Sequence, residues 1–221
     1  MKTTELFDLN HTKAAAYLQQ FEYPWQALPG IKALILELGR TLGEDYTEVS
    51  PTVWVHKTAK VAPTACLGAP CIIGPGTEVR HCAFIRGSAL VGENCVVGNS
   101  VELKNVILFD GVQVPHYNYV GDSILGHKAH MGAGSVTSNV KSDKTLVVVK
   151  NGSEQIPTGL KKFGAMLGDF VEVGCNSVLN PGSVIGRRSS IYPTSCVRGV
   201  IGEDCIVKTG GVIVKRSDNH G

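Results

Sequence analysis

The sequence predicts a mainly β chain wound as a left-handed parallel β-helix, with a short helical cap before it and a hairpin loop inserted in it. Three observations carry that expectation. Every sixth residue from Val55 to Leu103 is aliphatic: Val55, Val61, Leu67, Ile73, Val79, Ile85, Val91, Val97 and Leu103. Four places after most of these stands a small residue, as at Ala59, Ala65, Cys71, Thr77, Ala83, Ala89 and Cys95. A repeat of six fits neither the helical nor the strand period. It fits a chain that turns a corner every six residues, with one aliphatic and one small residue pointing inward on each side.

The elements follow in chain order. Residues 1–48 read as an N-terminal helical cap. Asn10-His11-Thr12 offers capping side chains before KAAAYLQQF, and IKALILELGRTL, opened by Pro29-Gly30, has apolar residues at helical spacing. Two helices are expected within residues 10–43, covering the open first coil. Residues 49–221 read as the solenoid, about seven coils of three sides. Beyond Leu103 the frame steps to Leu108, Val114, Val120, Leu125 and Met131. It resumes at Leu167, Val173, Leu179, Ile185 and Ile191, and fades through Ile201, Val207 and Ile213. Between these blocks lies an excursion, residues 137–164, in which Leu146-Val147-Val148-Val149, Asn151-Gly152 and Ile156 read as a β-hairpin.

Composition narrows the function classes. A formal net charge of +2 leaves no basic stripe for nucleic acid, and no apolar run is long enough for a membrane span or a signal peptide. Of the seven cysteines, Cys71, Cys95 and Cys205 fall on the small inward position, and no C-x-x-C pair occurs. Free thiols and a cytoplasmic location are expected. Cys175 falls at an outward corner, where an inert thiol is the ordinary reading.

The densest polar stretch is HYNYVGDSILGHKAHMGAGSVTSN, residues 116–139. His116 follows Pro115 at a corner, which turns its imidazole outward. Residues about one coil apart come alongside, so Arg86 and Lys104 share an edge of the prism. With His116, Tyr119 and Asn139 that edge carries cations, a base, a phenol and an amide. Such a set suits a phosphorylated ligand whose nucleophile loses a proton. A solvated edge with scattered charges fits the spacing equally well.

Val97-Gly98-Asn99-Ser100-Val101-Glu102, HYNYVGD (116–122), MGAGSVTSN (131–139) and Val173-Gly174-Cys175 resemble one family. It is the acetyltransferase half of the bifunctional N-acetylglucosamine-1-phosphate uridyltransferase and glucosamine-1-phosphate acetyltransferase, a hexapeptide-repeat acyltransferase with archaeal and clostridial sugar-phosphate nucleotidyltransferase relatives. The resemblance implies that His116 is the general base and that Asn139 orients the sugar amine. Arg86 and Lys104 would hold the sugar phosphate, with Tyr119 assisting. His130 stands where the family has an asparagine that contacts the sugar. The backbone near Ala133 would meet the acyl carrier, and Cys175 and Pro193 would line the coenzyme A groove. Acetyl-CoA would be the co-substrate, no metal would be required, and the working unit would be a homotrimer with three shared sites. Pro115, His130, Pro193 and the longer excursion depart from the family pattern. Nothing here resembles the Gly-rich nucleotide-binding domain of those enzymes, so uridylyl transfer is not expected of these residues.

Two other classes compete. Some left-handed β-helices are zinc carbonic anhydrases, and His116, His127 and His130 invite that comparison, but their spacing lacks the H-x-x-x-x-H pair. The chain could also be a non-catalytic solenoid that binds a sugar nucleotide or a partner, a reading that leaves His116, Arg86, Lys104 and Asn139 together unexplained.

Overall fold

Strands of two to four residues cannot hold together alone, and each needs a partner stacked on it. In the computed structural model, which describes residues 1–216, each finds that partner one coil along the chain. The result is the left-handed parallel β-helix read from the repeat. On the first face, parallel rows stack at Trp54, Ile72, Leu90, Ile107, Ile124, Met166, Val184 and Val200. On the second they stack at Cys66, Phe84, Glu102, Tyr119, Val136, Val178 and Cys196. On the third they stack at Lys60, Glu78, Val96, Gln113, His130, Glu172, Ser190 and Ile206.

The inward residues are those of the repeat. Leu103, Leu108, Val114, Val120, Leu125 and Met131 are all fully buried, which confirms the two shortened steps after Leu103. At those steps single strands, Glu102–Leu108 and Tyr119–Leu125, run through a corner. Asn105 (φ 55°) and Asp122 (φ 48°) make the bend, residue types that tolerate the left-handed region. Cys71, Cys95 and Cys205 are buried, Cys175 is exposed, and all seven cysteines are free thiols. Burial pushes the thiols of Cys71 and Cys95 up to about 12.

The frame ends earlier than the sequence suggests. Val207 is inward, but Ile213 is 51% exposed and belongs to the strand Ile213–Lys215, which folds back antiparallel on Cys205–Val207. At the other end, Tyr46–Ser50 lies antiparallel on Val53–His56. A terminal row offers unpaired backbone groups, and a reversed strand satisfies them without adding a coil.

The N-terminal segment is helical as expected, with short helices Thr3–Leu6 and Ala15–Leu18, a 3-10 stretch Pro24–Gly30 and the helix Ile31–Gly39. It does not cover the open first coil. It runs along the first face, held by Asp169 N–H to the Leu6 carbonyl (3.1 Å), Asp110 N–H to the His11 carbonyl (3.0 Å) and Asn105 Nδ2 to the Leu28 carbonyl (3.2 Å). The cause is the outward row of that face. From Trp54 to Val200 it is apolar without a break, so this side is a parallel sheet apolar on both faces and has to be covered. Ile31–Gly39 packs on the early rows, and Trp25 stacks near Phe163 (5.7 Å).

The excursion leaves the prism after Asn139 and returns at Phe163, whose N–H donates to the Asn139 carbonyl (3.0 Å). Ile124 consequently pairs with Met166, 42 positions on, against 18 from Val53 to Cys71. Its hairpin pairs Val148–Asn151 with Glu154–Pro157. Asn151 pairs with Glu154, so the loop is Gly152-Ser153, one residue later than an Asn-Gly turn, with Gly152 at φ 59°. Among the described residues no helix is long and apolar enough to cross a membrane.

Candidate functional site

The corner between the third and second faces gathers four of the candidate residues in one line. Backbone hydrogen bonds run along it: Tyr117 N–H to the Asn99 carbonyl (3.0 Å), Gly134 N–H to His116 (3.0 Å), Asn176 N–H to Ala133 (2.8 Å) and Thr194 N–H to Cys175 (2.8 Å). The row therefore reads Asn99, His116, Ala133, Cys175, Pro193. At roughly 4.8 Å per row, His116 and Pro193 stand about 14 Å apart. Beside the row the third face is bare at Gly132 and Gly174, between Pro115 and the exposed Tyr192. A Cβ on Gly132 would lie 2.7 Å from the Cys175 nitrogen, and one on Gly174 would lie 2.4 Å from that of Pro193.

His116 ends the strand Gln113–His116 with its side chain exposed. Its ring has no hydrogen-bond partner among the described residues, so it is free for a ligand. Its backbone is held by the next coil. The His116 N–H donates to Asn118 Oδ1 (3.2 Å), and the Asn118 amide donates to the carbonyls of Gly132 (2.8 Å) and Ser135 (3.1 Å) from a fully inward position. A polar residue on the small inward place thus clamps the corner that carries the base.

Across the second face lies the other group. Arg86 and Lys104 are on adjacent rows, as their spacing predicts, and Tyr119 lies on the next. Both cations already face carboxylates. Arg86 Nη1 is 2.8 Å from Glu102 Oε1, with the Arg86 side chain exposed and that of Glu102 partly so. Lys104 Nζ is 3.0 and 3.1 Å from the two oxygens of Asp122, which is only 4% exposed and also accepts from Asn105 Nδ2 (3.0 Å). These pairs differ in consequence. An exposed pair contributes little and opens readily for a phosphate. A buried carboxylate keeps its counterion, because losing it leaves an uncompensated charge. Arg86 is therefore the cation available to a ligand, and Lys104 holds Asp122.

Asp122 also fixes Asn139. Asn139 Nδ2 donates to Asp122 Oδ2 (2.5 Å) and to the Tyr119 hydroxyl (3.1 Å). With both amide hydrogens engaged, its Oδ1 is the atom left to accept an N–H from a ligand. Burial, with the Asp122 and Glu102 carboxylates adding to it, pushes the Tyr119 phenol above its usual value, so it stays protonated and can donate. The Glu102 carboxylate raises the Arg86 guanidinium further.

His130 stands apart from this group. It projects from the third face, where its Nδ1 is 2.8 Å from Glu172 Oε2. His127 is stacked on His11 (3.7 Å between centroids) under the N-terminal segment. His116, His127 and His130 do not converge within the protomer. Arg188 is engaged by Asp204 and Glu203, and Arg187 by Asp169. Sequence reasoning missed Asp122, Glu102 and Asn118. The first was within reach, since Asp122 lies 18 positions after Lys104.

Parts of the chain are similar to known proteins. It is 34% identical over 99 residues to the bifunctional sugar-1-phosphate nucleotidylyltransferase/acetyltransferase of Sulfurisphaera tokodaii, covering 45% of this chain and 25% of that protein. It is 34% identical over 113 residues to the bifunctional protein GlmU of Methanococcus aeolicus, covering 51% and 27%. The chain spans about a quarter of the length of these relatives. The resemblance read from the motifs is present in them. Among solved structures, a mutant of AntD, an N-acyltransferase from Bacillus cereus in complex with dTDP and coenzyme A, is 16% identical with a TM-score of 0.41, covering 75% of this chain and 84% of that one. The acetyltransferase domain of PglB from Neisseria gonorrhoeae, in complex with acetyl coenzyme A, is 15% identical with a TM-score of 0.34, covering 69% and 52%. No family profile matches the chain.

Proposed function

We propose that the chain is an acetyl-CoA-dependent acyltransferase that acetylates the amine of an aminosugar phosphate, glucosamine-1-phosphate being the first candidate. The observation that carries this reading is the corner row. It sets an exposed His116, unpartnered among the described residues, in line with Ala133, Cys175 and Pro193, while across the second face Asn139 offers an atom that accepts an N–H. The relatives' bifunctional names and the matching motifs support it.

The chemistry needs little beyond placement. A protonated amine has no lone pair to attack with, and a thioester is already activated. The acceptor amine donates one hydrogen to Asn139 Oδ1, which points its lone pair. As nitrogen bonds to the thioester carbon, His116 takes the proton that nitrogen must shed. The carbon–sulfur bond then breaks, and the thiolate leaves with a proton, which His116 can return. Arg86 opens from Glu102 toward an acceptor anion, and the protonated Tyr119 donates beside it. An extended acyl-thioester arm would lie along the bare strip beside Ala133 and Cys175 and reach the Tyr192-Pro193 end of the row. The same reading makes the working unit a cytoplasmic homotrimer in which neighbouring prisms complete each groove, with seven reduced thiols in keeping with that compartment.

The test is thiol release from acetyl-CoA in the presence of glucosamine-1-phosphate. Saturable turnover that His116→Ala abolishes supports the reading. Turnover that survives His116→Ala at full rate refutes the base, and absence of turnover with every aminosugar phosphate refutes the activity.

A further inference from the structure

Like charges held side by side with no counterion are unfavourable, and an anion relieves them. Two cations, Lys150 and Arg198, line one cavity where the hairpin meets the second face. This cavity, of about 400 Å³, is also lined by Ser138, Ser142 and Asn180, together with Lys141 and Asp143. Lys141 and Asp143 neutralise each other at 3.2 Å. Lys150 and Arg198 have no carboxylate partner among the described residues. Arg198 reaches only the Asn180 amide oxygen, at 3.4 Å.

The wall that brings Lys150 to Arg198 is built into the backbone. Gly199 has φ 79°, and a Cβ there would lie 2.6 Å from the Lys150 carbonyl. Gly182 has φ 81°, and its Cβ would lie 2.8 Å from Val147 Cγ1. The hairpin rests on two bare α-carbons at the corner, so Lys150 is fixed over the residue that follows Arg198. The floor continues the candidate site. Ser138 N–H donates to the Leu179 carbonyl (2.8 Å) and Asn180 N–H to that of Val197 (2.9 Å). Ser138, Asn180 and Arg198 thus hold the same outward place as Arg86 and Lys104, on later rows, and Ser138 immediately precedes Asn139.

We infer that this cavity binds a phosphoryl group of the acceptor beyond the one that Arg86 would meet, and that the excursion serves to build it. At the other end of the face both cations already face carboxylates, whereas here two cations and the Ser138 and Ser142 hydroxyls face open space. An acceptor with its amine at Asn139 and a second phosphoryl group, as in a diphosphate, would extend that group along the row to Arg198 and Lys150. The inference rests on the acyltransferase reading for the word acceptor, but the site itself is tested without turnover.

The probe is inorganic pyrophosphate, titrated calorimetrically into the full chain. Saturable binding is expected, weakened by salt and at least about fivefold weaker in Arg198→Gln and in Lys150→Gln, with Arg80→Gln, whose arginine pairs with Glu78 away from the cavity, unchanged. Both substituted side chains are exposed, and unchanged melting midpoints will show that the fold is kept. Coenzyme A at saturation should leave pyrophosphate in place. Binding lost in Arg86→Gln but kept in Arg198→Gln would overturn the site, as would absence of saturable binding at millimolar probe. Displacement by coenzyme A would assign the cavity to the donor and overturn the acceptor. Binding as expected in a chain that acetylates nothing would sink the acyltransferase reading and leave the phosphoryl cavity standing.

Discussion

Lys104 and Arg86 look equivalent in sequence, and the structure predicts that their removal has different costs. Lys104→Met leaves Asp122, 4% exposed, without its cation, with only the amides of Asn105 and Asn139 still donating to it. Breaking a buried pair from one side costs about 3–5 kcal/mol, and the two remaining amides bring the expected figure toward the lower end, about 3 kcal/mol. For a chain of this size that is a fall of about 6–12 °C in melting midpoint. Arg86→Met opens an exposed pair and should cost under about 1 kcal/mol. Differential scanning calorimetry of the two variants reads the contrast directly. Asp122→Asn tolerates the same backbone and completes a cycle with Lys104→Met, in which the double variant should lose at least about 1 kcal/mol less than the sum. Equal midpoints for the two single variants would refute the assignment of Lys104 to Asp122 and return it to the ligand.

Other outcomes follow from single contacts. His116→Ala should lower turnover by about 10²–10⁴-fold while the melting midpoint stays unchanged, since its side chain is exposed and makes no hydrogen bond among the described residues. Gly199→Ala forces a left-handed φ and a clash with the Lys150 carbonyl, so amide exchange should rise in residues 147–157 while the inner rows keep their protection. Trp25→Ala removes a 1% exposed ring from the cover of the first face and should cost about 3–5 kcal/mol in urea titration. Burial, with His11 adding to it, holds His127 below its ordinary value. The folded chain therefore resists a proton that the unfolded chain accepts, and stability falls as pH drops below about 6.5. In His127→Phe the loss of melting temperature between about pH 7.5 and 5.5 should be smaller than in the parent chain.

The solenoid was legible because its signal is redundant. Each inward aliphatic residue from Val55 to Val207 repeats the same constraint, and the shortened steps at Asn105 and Asp122 declared themselves by the residues that resume the frame. Ile213 misled because a lone aliphatic residue at the right spacing is not a row, and the chain had no further coil to stack on it. Outward residues carry a second pattern with a period of one coil. Read at that period, Trp54, Ile72, Leu90, Ile107, Ile124 and Met166 announce a face that must be covered, and this decides where the N-terminal helices lie. The same period links Lys104 to Asp122, and Arg86, Lys104 and Ser138 to Arg198. What no period could give is the pairing state of each cation, which depends on how far its side chain reaches across rows.

Burial divides the prism among its sides, and that division constrains where chemistry can occur. The first face is closed by the chain's own N-terminal segment and, at its far end, by the hairpin. A ligand is left the second face, the third face and the corner between them. The two groups of candidate residues occupy that corner and the adjoining second face, with His116 and Tyr119 on one coil and Asn139 on the next. The hairpin is anchored at that same coil, through the Phe163 N–H bound to the Asn139 carbonyl, and it reaches forward to Gly199. One insertion thus closes the first face and adds Lys150 to the second. A change that frees the hairpin should therefore weaken anion binding without disturbing His116, because the corner row holds His116 through Asn118 and the coil beneath it.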